Sequence, residues 1–102
     1  MTWESNCVYI LSNVKATVLY TEVTSNLPTR ISQHKQGLGG AFTKKYHVTR
    51  LVYYECCGSI VDAINREKQI KGGSRGDKIK LINSINPDWM DLAVELGIIP
   101  NQ

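Results

Sequence analysis

Two short apolar, β-prone runs, "CVYIL" (7–11) and "TVLYTEV" (17–23), stand five residues apart, and this spacing constrains the fold more than any other feature. The intervening "SNVKA" is short and turn-rich, so the pair predicts a hairpin. A third run, "RLVYYE" (50–55), supplies one more strand. Between the second and third runs, Asn26 or Ser25 offers an N-cap, Pro28 suits a first helical turn and Gly37 suits a helix end. That predicts a helix over Leu27 to Gln36, followed by a Gly-rich and then basic loop, "GLGGAFTKKYHVT".

Ser59 and Asp62 stand at capping-box spacing, predicting a helix through "SIVDAINREKQIK" that Gly72 and Gly73 end. Ser74 and Asp77 repeat the spacing before "RGDKIKLINSI", which Pro87 stops, and "DWMDLAVEL" reads as a short last helix. The order is ββαβαα(α): an α+β domain with a small antiparallel sheet. At 102 residues there is room for one core, so residues 1–102 read as a single domain.

No apolar run is long enough to span a bilayer, and "MTWESNC" lacks a signal peptide's basic and apolar regions. Cys7, Cys56 and Cys57 read as buried or half-buried thiols in a reducing cytoplasm. Net charge is only +3, but residues 30–80 hold 11 of the 12 Lys and Arg and four of the nine acids, a net +7. Such asymmetry points to an anionic partner or to a biased solvated surface.

Among candidate site residues Glu67 is the most informative. On a helical wheel from Ile60 the apolar stripe is Ile60, Val61, Ala63, Ile64 and Ile70, and Glu67 falls near its middle. A carboxylate there needs a buried ion-pair partner, a place at the stripe's exposed end, or a hard cation such as Mg²⁺. Arg30 and His34 are i,i+4 and share a helix face, and a guanidinium there can grip phosphate oxygens in a bidentate fork. Tyr9 and Tyr20 can be cross-strand neighbours, with packing as the ordinary reading and proton relay as the functional one. His47 has no evident partner. Zinc-ligand spacing, a phosphate-cradling P-loop and a dinucleotide fingerprint are all missing.

The order of Tyr9, Tyr20, Arg30, His34 and Glu67 resembles that of the GIY-YIG nuclease domain. "CVYIL" and "LYTEVTS" stand where the two naming motifs fall. "HKQGLGGAFTKKY", "TRLVYYE", "AINREKQIKGGSR" and "INPDW" resemble the small single-domain bacterial branch, which is similar to the N-terminal nuclease module of the excision-repair incision subunit. The resemblance covers roughly residues 7–91.

It implies a three-stranded antiparallel sheet flanked by helices, and hydrolysis of a phosphodiester, usually in DNA, with one divalent cation, Mg²⁺ or Mn²⁺. Carried over, Glu67 would hold the metal, Tyr9 would help remove a proton from the attacking water, and Arg30 would bind the phosphate. Tyr20 and His34 would position water or phosphate. Lys35, Lys44, Lys45, Lys71 and Arg75 become candidate contacts to the nucleic-acid backbone. Phe42 and Tyr46 read as anchors of the loop to the core, with stacking on a base as the other reading.

The departure is Tyr20-Thr21-Glu22, where the family has Tyr-Ile-Gly. Residues i and i+2 share a strand face, so Glu22 should point wherever Tyr20 points. Three outcomes are open: Glu22 turns to solvent, joins Glu67 as a second metal ligand, or weakens phosphate binding. The functional expectation is a metal-dependent endonuclease, with a non-cleaving nucleic-acid-binding module as the alternative and a protein-docking domain as a third class.

Overall fold

The hairpin forms where the alternation places it, as β1 (Asn6–Ser12) and β2 (Leu19–Thr24), paired antiparallel. The computed structural model describes residue 3 and residues 5–98. The third strand, β3 (Arg50–Cys57), adds to the other side of β1, giving the order β2-β1-β3. The middle strand is therefore covered on both faces. Cys7, Tyr9 and Leu11 enter one core with Leu27, Ile31, Val48, Leu51, Leu92 and Ala93, while Val8 and Ile10 enter another with Val52, Tyr53, Ile70 and Ile82. A side-chain period of two sorts one strand into two cores.

Helix α1 (Leu27–Lys35) is capped by Asn26, whose side chain accepts from the Thr29 amide at 3.1 Å, with Pro28 in its first turn. It covers the Tyr9 face through Leu27 and Ile31. The Gly-rich segment expected to be loop throughout contains a five-residue helix, α2 (Ala41–Lys45). Helices α3 (Ile60–Gly72) and α4 (Arg75–Ile85) cover the other face. Ser59 caps α3, and the full reciprocal capping box forms only at Ser74–Asp77. The last helix is a 3₁₀ turn, Leu92–Leu96. The α+β class and the three-stranded antiparallel sheet flanked by helices are as expected.

Two expectations need correction. Ile60, Val61 and Ile64 are exposed, and only Ala63 and Ile70 of α3 are buried. At about 100° per residue Ile70 falls almost in line with Ala63, whereas Ile60, Ile64 and Val61 lie about 60°, 100° and 160° round the helix from it, so the face that meets the sheet is narrower than the apolar stripe. Cys7 and Cys56 face one another across β1 and β3 and are joined as a disulfide, so of the three expected thiols only Cys57 is free. Among the described residues no helix is long and apolar enough to cross a membrane.

Candidate functional site

Tyr9 and Glu22 sit directly opposite on β1 and β2, and Tyr20 is opposite Leu11, so the two tyrosines are diagonal neighbours on one face. Diagonal pairs remain within reach of long aromatic side chains. Helix α1 lies over the same face and presents Arg30 and His34 from successive turns. Four site residues predicted from the sequence, Tyr9, Tyr20, Arg30 and His34, are thereby brought together.

The innermost contact joins the Tyr9 hydroxyl to His34 Nε2 at 2.8 Å. His34 Nδ1 lies 3.3 Å from Thr43 Oγ1, and the Thr43 hydroxyl donates to the Gly40 carbonyl at 3.4 Å. With its hydrogen so committed, Thr43 accepts from Nδ1–H, which makes Nε2 the acceptor of the Tyr9 proton. Burial, followed by the Arg30 charge, lowers the His34 pKa to about 4, so the ring is neutral near pH 7 and suited to accept. Burial pushes the Tyr9 phenol well above the ordinary tyrosine range, with Glu22 adding to the push and Arg30 partly offsetting it. The Tyr9 phenol is therefore a neutral hydroxyl near pH 7 rather than a standing phenolate.

Glu22 points inward with Tyr20, as the i,i+2 rule requires. The Tyr20 hydroxyl donates to Glu22 Oε2, while Arg30 Nε and Nη2 reach Glu22 Oε1 at 3.1 and 3.0 Å. The solvent-facing outcome for Glu22 is overturned. Arg30 Nη1 donates to Gln33 Oε1 at 3.2 Å, and Nη2 also donates to the Gly39 carbonyl at 3.0 Å. The guanidinium fork that would meet a phosphate is thus filled by the protein's own carboxylate. Burial would lower the Arg30 pKa, but Glu22 and Tyr9 outweigh it and hold the group more firmly charged. Tyr20 is pushed up to about 12 by burial, then by Glu22, with a smaller contribution from Glu67.

Lys71, the ion-pair partner of Glu67, lines one pocket with Tyr20 and Thr21. Glu67 comes from α3, which packs on the opposite sheet face against β1 and the edge strand β2. The side chain is 18% exposed, and its ion-pair partner is Lys71 at 3.5 Å. Among the described residues no three His, Cys, Asp or Glu side chains group to enclose an ion. One largely buried carboxylate fits a hard cation that keeps most of its waters, such as Mg²⁺. Thr21 Oγ1, between Tyr20 and Glu22, is buried without a hydrogen-bond partner.

The candidate backbone contacts divide. Lys35 is tied to Asp91 at 2.6 Å and to the Thr49 carbonyl at 3.1 Å, bracing α1 against the last turn, so it is not a surface contact. Arg75 donates to the carbonyls of Ala16 and Thr17 at 2.6 and 3.3 Å and holds the hairpin turn. Lys44, Lys45 and Lys71 remain exposed. Lys71 and Lys78 flank an open pocket of about 430 Å³ with Leu19, Tyr20, Thr21 and Phe42. Phe42 and Tyr46 do not anchor the loop in the core: both are exposed, Phe42 stacks on Tyr20 at 5.7 Å, and Tyr46 leans on Phe42 at 4.8 Å.

Gly39, Gln33 and Thr43 are site residues that sequence reasoning passed over. A Cβ at Gly39 would lie 2.0 Å from His34 Nδ1, so only glycine lets the loop close on the imidazole while its carbonyl receives Arg30. The Gly-rich run "GLGG" was the available signal.

Comparison with known proteins now bears on this geometry. Residues 5–80 match the family model described as the GIY-YIG catalytic domain. A UPF0213 protein of Syntrophus aciditrophicus is 41% identical over 86 residues, covering 83% of this chain and 97% of its own length. A UPF0213 protein of Staphylococcus haemolyticus is 41% identical over 75 residues, covering 74% and 90% respectively. The solution NMR structure of a UPF0213 protein from Bacillus halodurans superposes with a TM-score of 0.55 at 28% identity, covering 85% of this chain and 92% of that one.

Proposed function

The chain belongs to the GIY-YIG catalytic domain family, and on that premise we propose that it hydrolyses phosphodiester bonds in DNA with the help of one divalent cation. The observation that carries this reading is the single cluster in which Tyr9, Tyr20, Arg30 and His34 meet, with Glu67 linked to Tyr20 through Lys71, which pairs with the one and lines a pocket with the other. Packing alone has no need of this polar set.

In this reading Glu67 holds Mg²⁺ or Mn²⁺, and a cation bound there supplies charge stabilisation to the scissile phosphate and leaving oxygen. Arg30 grips the phosphate, which must first displace Glu22 from the fork. Displacement also opens the way to Tyr9, whose side chain is otherwise fully buried. The attacking water then gives its proton to the Tyr9 oxygen while the Tyr9 proton passes to His34 Nε2. Tyr20, freed of Glu22, donates to a phosphate oxygen. Lys44, Lys45 and Lys71 contact the backbone of the nucleic acid.

A second reading, a nucleic-acid-binding module that does not cut, is favoured by one observation, the Glu22–Arg30 pair. Two like charges 4 Å apart repel by about 1 kcal/mol at a water-like dielectric and by more where water is excluded. Glu22 therefore both occupies the phosphate's partner and repels the phosphate.

The test incubates supercoiled, single-stranded and branched DNA with Mg²⁺ or Mn²⁺ and the wild type, Glu67→Ala or Glu22→Gly. Cutting by wild type that disappears in Glu67→Ala, and rises about tenfold in Glu22→Gly, is the expected result. Cutting by Glu22→Gly alone would show a site held shut by one carboxylate. If neither cuts, salt-dependent DNA binding decides for the second reading.

A further inference from the structure

The pattern Tyr-x-Glu on a strand, then Arg-x-x-Gln on the next helix packed over it, occurs twice. The first is Tyr20, Glu22, Arg30 and Gln33. The second is Tyr53, Glu55, Arg66 and Gln69, on β3 and α3 at the far side of the sheet. The contacts match atom for atom: the Tyr53 hydroxyl donates to Glu55 Oε2, Arg66 Nε donates to Glu55 Oε1 at 2.6 Å, and Arg66 Nη1 donates to Gln69 Oε1 at 3.1 Å. Nothing in the proposed reaction uses this second network.

Its position suggests a purpose. Helix α3 is held to the sheet by few apolar side chains, since Ala63 and Ile70 are its only buried residues. At about 100° per residue, Arg66 and Glu67 lie on opposite sides of the Ala63–Ile70 line. Arg66 is tied to β3, and Lys71, on the Glu67 side, borders Leu19, Tyr20 and Thr21 of β2. A helix resting on so narrow a strip can roll. A roll of about 10° moves a group about 6 Å from the axis by about 1 Å, and a misplacement of that size is costly in a catalytic constellation.

We infer that the Tyr53–Glu55–Arg66 clamp sets the rotation of α3 and so positions Glu67 toward Tyr20, making Glu55 and Arg66 positioning residues for the cation site. The inference rests on the reading of Glu67 as the cation's ligand. A merely structural role is the competing explanation. Ion pairs this exposed add little to stability, so the two accounts separate in measurement.

Mn²⁺ binding to the intact chain is measured by titration calorimetry for wild type, Glu67→Ala, Glu55→Gln, Arg66→Met and Arg66→Lys, with the Tm of each. Glu67→Ala should abolish binding. Glu55→Gln and Arg66→Met should each weaken it about tenfold, the lower end of what supporting residues around metal ligands do, with a variant carrying both Glu55→Gln and Arg66→Met no worse and the Tm little changed. Arg66→Lys, which keeps the charge without the fork, should recover part of the loss. If Arg66→Met fails to fold, the near-isosteric Glu55→Gln carries the test. Wild-type Mn²⁺ affinity in folded Glu55→Gln, with binding abolished by Glu67→Ala, would overturn the clamp and leave the Glu67 reading intact. Mn²⁺ binding that survives Glu67→Ala would remove that reading, and the inference with it.

Discussion

The β2–α1 and β3–α3 networks have the same four residue types and share three contacts, while Arg30 alone adds an Nη2 bond to a loop carbonyl, that of Gly39. The ion-paired side chains are 27% and 23% exposed for Arg30 and Glu22, and 34% and 29% for Arg66 and Glu55, so burial does not separate them. Tyr20 and Tyr53 are each pushed up to about 12, first by burial and then by the neighbouring glutamate. What differs lies beyond the four residues. Beside the first network stand Tyr9 and His34, a buried hydroxyl bonded to a neutral imidazole. The second packs with Val52, Ile70 and Ile82 and borders a small pocket of about 180 Å³ that Arg66 and Gln69 line with Asp77 and Lys78. On the proposed reading, the neighbours beside each arginine set whether it grips a phosphate or clamps a helix.

The comparison is broken most severely by removing one arginine at a time. Arg30→Ala should lower the cleavage rate by about 10²–10³-fold, the usual cost of a lost transition-state donor. Arg66→Ala should cost about tenfold, through the cation. Equal losses in single-turnover cleavage would mean that the networks are functionally alike.

Acid titration distinguishes them next. The folded pKa of His34, about 4, lies below its unfolded value near 6.5, so the fold favours the neutral ring. That contribution is fully present above pH 6.5 and is lost as pH falls from 6.5 towards 4, about 3 kcal/mol across the window. Urea midpoints of wild type should fall through this range, and those of His34→Gln should stay flatter. The second network has no imidazole to contribute in this way.

A smaller effect is expected at Gly39, which has no counterpart beside Arg66. Gly39→Ala drives a methyl into the His34 ring and should cost about 1–3 kcal/mol of stability. Tyr9 and His34 ring signals in NMR should move while those of Tyr53 stay in place.

Much of this was legible before the fold. The hairpin follows from two alternating runs five residues apart, and the Ser74–Asp77 capping box and the shared face of Arg30 and His34 follow from spacings of three and four residues. These depend on backbone geometry that is the same in any fold, so reading them needs no partner from elsewhere in the chain. The inward turn of Glu22 follows from the same kind of rule.

Pairing across distance was not legible in that way. Lys35 and Lys44 read alike in the basic middle of the chain, yet Asp91, 56 residues away, takes up Lys35 and leaves Lys44 exposed. The apolar stripe of α3 was visible, but the helix is rotated so that Ala63 and Ile70 meet the sheet and Ile60, Val61 and Ile64 are left uncovered. Gly39 could be seen as a glycine, but not as the one against which His34 rests. Short-range spacing thus settled the elements and which side chains share a face. Which charges are consumed in holding the fold, and which remain for a ligand, depended on long-range contacts, because a side chain's partner is whatever the folded chain brings within about 3 Å.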